Sequence, residues 1–525
     1  MNGLVEENPL AIEKNKRIIN IPPDTDFNGT SATLISEREF AFDIWLIMFD
    51  KKFSDYTISL YRYGIICKLE SKGFYKRYRG NNSYILIREI DNIICEVEQS
   101  ILKDDMFSEV KAISKTIEVD CNGHSAPLSA ENLRETFLKQ SHLIFNDNFL
   151  EHLKTHSKPI LRDTKDISYY FFTNTIVVVK KSCFEFLEYN MINNQCIWDT
   201  QIIDHELKYN SENKDCHFSK FISNVSNNEC DRLNAFISSI GYLLHNYSDP
   251  SRGQAVIAYD EEITNLKNPM GGTGKGLLAN GIKQMRNVAK IDGKKFDPND
   301  RFKYQDISES TQVVWLDDVK PDLGFETFHS VLTDGWSIEK KYKAQFFIKP
   351  EDSPKMLICS NAILNGNGTT NKRRQLIIEF SNHYSKQIKF GNEEPIKKEH
   401  GCLFFDNNDW DLQEWNMFFS FMLDCVRNYL LNGIQNYQYK GLNKNKLIQS
   451  TNEDFCNWVE EQNFEAKTHY DTAIKFEDFR DTYYSSESDF KQRGFTNWLK
   501  IFAESKDWKF IAKTNNGKQI FSFSS

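Results

Sequence analysis

An α/β fold with a parallel sheet at its centre is predicted by three features of the sequence. Asn268-Pro269-Met270-Gly271-Gly272-Thr273-Gly274-Lys275-Gly276 is a glycine-rich loop that leads into the apolar run Leu277-Leu278-Ala279. Two later apolar segments, Thr311–Leu316 and Lys355–Cys359, run straight into polar residues, Asp317-Asp318 and Ser360-Asn361. Strand-like and helix-like stretches flank this block on both sides. Four parts are expected: a mixed α+β region over 1–165, a strand plus helical collar over 166–250, the core over 251–435 and a small module over 450–525.

The loop reads as a phosphate cradle. Gly271, Gly272 and Gly274 allow successive backbone N–H groups to converge on one anion. Lys275 adds a point charge, and the helix beginning there turns its positive end toward the phosphates. The G-x-x-x-x-G-K-[ST] pattern is missed twice: Pro269 replaces the first glycine, and Gly276 stands where a hydroxyl ligates magnesium. The upstream strand, Ala255–Tyr259, is separated from the glycines by Asp260–Met270, longer than a compact loop of this kind. Taken alone, the stretch also fits a glycine-rich surface turn.

At 525 residues the chain is long enough for about three domains, and 40 Phe and 22 Tyr can fill several cores. A net charge of −9 excludes a protein coated with nucleic acid and leaves room for local basic loops. The eleven cysteines are scattered without a C-x-x-C pair, which suits free thiols in a reducing compartment. Cys121 and His124 have ligand spacing but no second pair nearby, so they read as structural. Glu6, Glu7 and Asn8 interrupt any signal-peptide core, and no apolar run is long enough to span a bilayer. A soluble cytoplasmic protein with no membrane partner is expected.

In order, Glu37–Phe49 has helical spacing, and Tyr56–Leu69 and Ser83–Val97 alternate as strands do. Between them Lys72–Gly80 interleaves basic and aromatic residues, which suits single-strand binding or, more commonly, a solvated hairpin. Glu118 and Asp120 share a strand without a third acid and read as a surface strand end. Tyr169–Val179 suits one strand and Phe218–His245 a helical block. Trp410–Leu431 should close the core as a helix, and Asn443–Asn452 is linker-like.

The chemistry gathers downstream of the loop. An apolar strand ending at Asp317-Asp318 sets carboxylates at the C-terminal edge of a parallel sheet, where Asp317 can hold Mg²⁺ and Asp318 can orient water. Asn361 ends a second strand and can sense a γ-phosphate. Arg373 and Arg374 precede the strand Leu376–Phe380 and can reach a neighbour's phosphate. Between the two tipped strands, Trp336–Ile348 alternates lysines and aromatics around a hairpin, and Lys340, Lys341 and Lys343 can grip DNA phosphates if it lines a pore.

This order of features over 271–374 resembles a superfamily 3 helicase of the AAA+ ATPases. More narrowly, Gly-Gly-Thr-Gly-Lys-Gly with Leu-Asp-Asp-Val is similar to the helicase module of phage, plasmid and mobile-element primase-helicases of the virus D5 and deep-sea phage primase-polymerase types. The resemblance covers roughly 165–425. It implies ATP and Mg²⁺, with Gly271, Gly272, Thr273, Gly274, Lys275 and Gly276 around the phosphates, Asp317 at the metal and Asp318 as catalytic acid. It further implies Asn361 as sensor and Arg373 or Arg374 as finger. The partners it implies are single-stranded and forked DNA, further copies in a hexamer, and a separate primase or polymerase, in a bacterial host or phage-infected cell. Gly276 departs from the pattern, and no primase is recognisable in residues 1–165. A DNA-binding initiator or scaffold with a degenerate, assembly-only nucleotide site is the alternative.

The last part reads as three helices, Glu453–Gln462, Ile474–Tyr484 and Phe490–Glu504, and a hairpin turning at Asn515-Asn516-Gly517. That is a winged-helix-like module, and its lysines favour duplex DNA over a protein partner.

Overall fold

The computed structural model describes residues 30–524, apart from 51, 53–54, 80–82, 193, 210–214, 263–271, 321–322, 365–368, 389–393, 484–489 and 516. It is a mixed α/β structure organised on a five-stranded, wholly parallel sheet. The strands are β1 (Ala255–Asp260), β2 (Val288–Asp292), β3 (Val313–Asp317), β4 (Lys355–Cys359) and β5 (Gln375–Phe380), side by side as β2-β3-β4-β1-β5. Ala255, Val256, Ile257 and Ala258 are wholly buried, as expected for a parallel strand covered on both faces.

Alternate residues of these strands enter two cores. Val256, Ala258, Val313, Trp315, Leu357 and Ile378 join a large cluster with helices α1 (His217–Val225), α2 (Cys230–Leu244), α3 (Lys275–Lys283) and α4 (Leu412–Asn432). Tyr170, Phe172, Val177 and Val179, from the antiparallel pair Ile167–Phe172 and Ile176–Lys180, belong to the same cluster. On the opposite face Ile257, Val314, Leu316, Met356 and Ile358 pack against Phe325, Phe328, Trp336 and Phe346. The collar elements and the sheet thus share one core.

Several elements differ from expectation. Glu37–Phe49 forms two antiparallel strands, Glu39–Phe42 and Trp45–Phe49, instead of a helix, with Asp43 in the turn at a φ of 47°. Its β-branched and aromatic side chains suit strands once neighbouring strands are there to pair. Tyr56–Leu69 is a strand only to Leu60, followed by a helix over Arg62–Ser71. Tyr169–Val179 is a hairpin, since its apolar run crosses a turn. Phe218–His245 is two helices, broken where Asn227 and Asn228 adopt φ values of 62° and 56°.

The C-terminal part gathers Phe455, Trp458, Phe479, Phe495, Leu499, Phe521 and Phe523 into its own cluster. Helices Glu453–Glu461, Thr472–Tyr483 and Gln492–Ser505 pack with antiparallel strands Lys509–Asn515 and Lys518–Ser524. The expected linker is instead a helix, α5 (Lys440–Ser450), whose Leu447 enters that cluster. All eleven cysteines are free, and among the described residues no helix is long and apolar enough to cross a membrane.

Candidate functional site

At the C-terminal edge of the sheet, β1 ends in Asp260 and α3 opens on Lys275. Gly274 caps that helix with a φ of 106°, and a Cβ there would lie 2.6 Å from the Phe221 ring, so glycine is required twice over. The collar's aromatic residue therefore shapes the loop. Lys275 and Thr273 are both buried. The Lys275 ammonium donates to Asp260 Oδ1, and the Thr273 hydroxyl donates to the same oxygen at 2.5 Å. Gly276, in the first turn, has open space where a Cβ would stand.

Beside this triad β3 delivers its two acids. Lys290 pairs with Asp317 at 2.8 Å and Lys294 with Asp318 at 2.5 Å. The hydrogen bond to Asp318 raises the Lys294 ammonium above its ordinary pKa. Asp318 has left the strand with a φ of 57°, and its Oδ1 accepts from Asn361 Nδ2 at 2.9 Å. The Asp–Asn contact crosses from β3 to the end of β4, its sheet neighbour. Gly293 is held against β3, its N–H donating to the Asp317 carbonyl at 2.7 Å. A Cβ at Gly293 would come within 2.6 Å of that carbonyl oxygen.

Gly272, Thr273, Gly274, Lys275, Gly276, Asp317, Asp318, Cys359 and Asn361 line one open cleft of about 350 Å³. Cys359 has its thiol pushed up to about 12 by burial and is unreactive there. Gly271 lies outside the described residues. A second cleft of about 370 Å³, between Thr200–His205 and Lys283–Val288, gathers no comparable set. Among the described residues no three His, Cys, Asp or Glu side chains are placed to hold a metal ion.

Arg373 and Arg374 lie elsewhere. They end a short helix leading into β5, at the N-terminal edge of the sheet. A six-residue strand separates the edges by about 20 Å. Together with Arg252 and Thr333 they line a cleft of about 310 Å³ that has no acidic side chain in its wall. None of the three arginines forms an ion pair with a described residue.

The basic hairpin is present as Trp336–Ile338 paired with Phe346–Ile348. Its three lysines are not equivalent. Lys343 pairs with Glu98 at 2.7 Å, and Lys340 is half-buried near the Phe346 ring, its pKa lowered by burial. Lys341 is exposed at the tip beside fully exposed Tyr342, which adopts a φ of 61°. In the earlier basic stretch Lys72 pairs with Asp105 and Glu109, Arg77 donates to the Lys158 carbonyl, and Arg79 pairs with Glu96. Those cations are occupied within the fold, as in an ordinary hairpin.

Sequence reading missed Asp260, Lys290, Lys294 and α5. Asp260 follows an apolar strand as many acids do, so nothing local marked it. In α5, Asn445 Nδ2 donates to the Glu261 carbonyl at 2.8 Å. Gln449 both accepts from the Ile363 N–H at 2.8 Å and donates to its carbonyl at 2.7 Å. The helix thus grips main chain just beyond Asp260 and just beyond Asn361, while Leu447 reaches into the C-terminal core.

Residues 266–374 match the profile of a family of unknown function, DUF5906. No curated protein matches the chain. Among solved structures, the A-form apo NrS-1 C-terminal region aligns with a TM-score of 0.39 and 12% identity, over 88% of this chain and 98% of that one. JCV helicase with a bound substituted N-phenylacetamide compound aligns with a TM-score of 0.24 and 14% identity, over 41% of this chain and 54% of that one. Likenesses this distant decide neither fold nor function.

Proposed function

We propose that the chain is an ATP hydrolase that works as a subunit of a ring-forming DNA helicase. The observation that carries this reading is the convergence of Lys275, Asp317, Asp318 and Asn361 on one cleft at the C-terminal edge of a parallel sheet. A parallel sheet presents ligands there, and a helix N-terminus beside a lysine suits phosphate. In this reading the N–H groups opening α3 and the Lys275 ammonium bind the β- and γ-phosphates. Asp318, held by Asn361 at 2.9 Å, orients the attacking water and accepts its proton. Asn361 senses whether the γ-phosphate is present.

The residues present fit magnesium in part. Asp317 is half-exposed toward the cleft and can hold the ion once Lys290 gives way, whereas position 276 offers no hydroxyl. Bound there, the ion supplies charge neutralisation on the phosphate oxygens. Arg373 and Arg374 cannot serve their own chain's nucleotide across the sheet. Their cleft, with three arginines and no acid in its wall, supports a role on a neighbouring subunit's phosphates, hence a ring. The exposed tip, Lys341 with Tyr342, suits a phosphate contact and base stacking on a single strand. In the winged-helix-like module, helix Gln492–Ser505 is the element for duplex DNA.

Hydrolysis stimulated by single-stranded DNA tests the reading: wild type should release phosphate and Lys275→Ala should not. Equal release by the two sinks it. Lys341→Ala should weaken strand binding and reduce its salt slope by about one, leaving basal hydrolysis intact. A second reading, a DNA-binding initiator or scaffold with an assembly-only nucleotide site, is favoured by Gly276. It predicts ATP-dependent oligomerisation without turnover.

A further inference from the structure

We propose that Asp260 is a positioning residue that competes with phosphate for Lys275 and thereby sets how tightly nucleotide is held and how fast it leaves. The inference rests on the nucleotide-binding reading of the cleft and deepens it.

Asp260, Thr273 and Lys275 are 4%, 2% and 8% exposed, so the three form a closed polar cluster behind the phosphate loop. Among the described residues two hydrogen bonds reach the carboxylate, one from Thr273 and one from Lys275, and both fall on one oxygen. The ammonium also reaches Thr273 Oγ1 at 3.3 Å. The cation that should meet the phosphates is thus paired with a carboxylate of its own chain. Nucleotide binding has two routes. The ammonium can leave Asp260, which leaves a buried carboxylate without its cation and, among the described residues, with the Thr273 hydroxyl alone. Alternatively it can bridge both anions and offer the phosphate a partly neutralised charge. Each route lowers affinity, because a buried charge that loses its partner is strongly disfavoured and like charges repel at short range. When nucleotide departs, Asp260 recaptures the lysine. A loop lysine of this kind needs no such acid to bind phosphate, which marks Asp260 as a tuning element of this chain.

The test measures magnesium-ATPγS binding by calorimetry and its dissociation by stopped flow, using the full chain. Asp260→Asn keeps the shape and the Thr273 bond but removes the charge. It should bind on the order of tenfold more tightly and release correspondingly more slowly. Asp260→Glu should behave as wild type. A carboxylate that merely braces the loop predicts the opposite sign, so unchanged or weaker binding by Asp260→Asn overturns the proposal. If Asp260→Asn does not fold, Asp260→Ser, whose hydroxyl still accepts from Thr273, is read the same way. Absence of ATPγS binding by wild type would instead refute the nucleotide site itself.

Discussion

The two edges of the central sheet carry the charges of the proposed ATP site in contrasting ways. At the C-terminal edge each principal charge has an internal counterpart: Lys275 meets Asp260, Asp317 meets Lys290, and Asp318 meets Lys294 and Asn361. At the N-terminal edge Arg252, Arg373 and Arg374 share a cleft with no acid in its wall. A self-satisfied edge is stable alone and must be opened by its ligand. An edge of like charge gains most from an anion supplied from outside. On the proposed reading, the C-terminal edge is the half that binds and the N-terminal edge the half that is offered to another molecule.

The largest way to break this contrast is Lys275→Ala. It removes the proposed phosphate contact and leaves Asp260 buried without its cation, so a stability loss of about 3–5 kcal/mol is expected. Adding Asp260→Asn should restore most of the melting temperature while hydrolysis stays absent. A double variant as unstable as the single one would deny that the pair is coupled. Next in size, Arg373→Ala or Arg374→Ala should lower DNA-stimulated hydrolysis by on the order of a thousandfold while nucleotide affinity holds. Mixing such a variant with the Lys275→Ala/Asp260→Asn chain should recover part of the activity, since each contributes an intact half-site to the other's neighbour. No recovery in mixed assemblies would count against action between subunits.

A third prediction concerns a buried acid at the C-terminal edge. Glu379, in β5, is buried, and burial pushes its carboxyl to about 7 from an ordinary 4.5. Arg232, nearby, donates instead to the Glu379 carbonyl at 2.6 Å and to Glu261 at 3.0 Å. A folded pKa above the unfolded one means the fold keeps a proton that the unfolded chain releases. Stability is then full below about 4.5 and declines as pH rises to about 7. Thermal melts of Glu379→Gln and wild type should coincide in acid. They should separate by about 1–3 kcal/mol above neutrality, with the variant the more stable. Parallel curves would show that Glu379 does not titrate in this window.

Much of the site was legible because its parts are local. Asp317-Asp318 and Asn361 each sit at the end of an apolar run, Gly272–Lys275 opens one, and strand ends of a parallel sheet converge without further information. The hairpin was equally visible from its alternation, but the inequality of its lysines was not. Lys343 is set apart by Glu98, 245 residues away, and no pattern over a short window can encode that. The same limit hid α5. Asn443–Asn452 has a linker's composition, yet Asn445 and Gln449 spend their amides on backbone groups of Glu261 and Ile363, which lie far upstream. Segments whose partners lie within the run were read correctly in kind, as in the final hairpin. Glu37–Phe49 also pairs within itself, but its turn at Asp43 carries no Gly, Pro or Asn to mark it, and its apolar spacing fits a helix as well as a hairpin.

The smallest expected effect probes the one place where the C-terminal edge is unfinished. Gly276 occupies the first turn of α3 with open space at its Cβ, so a side chain there meets no obstacle. Gly276→Ser should change stability by about half a kcal/mol or less, in the stabilising direction, because serine costs less backbone entropy in a helix than glycine does. Its hydroxyl would face the cleft that also holds Asp317 and Asp318. If magnesium at this site is limited by a missing ligand, the metal concentration needed for half-maximal ATPγS binding should fall by a few-fold and hydrolysis should rise with it. An unchanged magnesium requirement, with the fold intact, would mean that Asp317, water and phosphate already complete the ion's shell and that glycine at this position has no bearing on turnover.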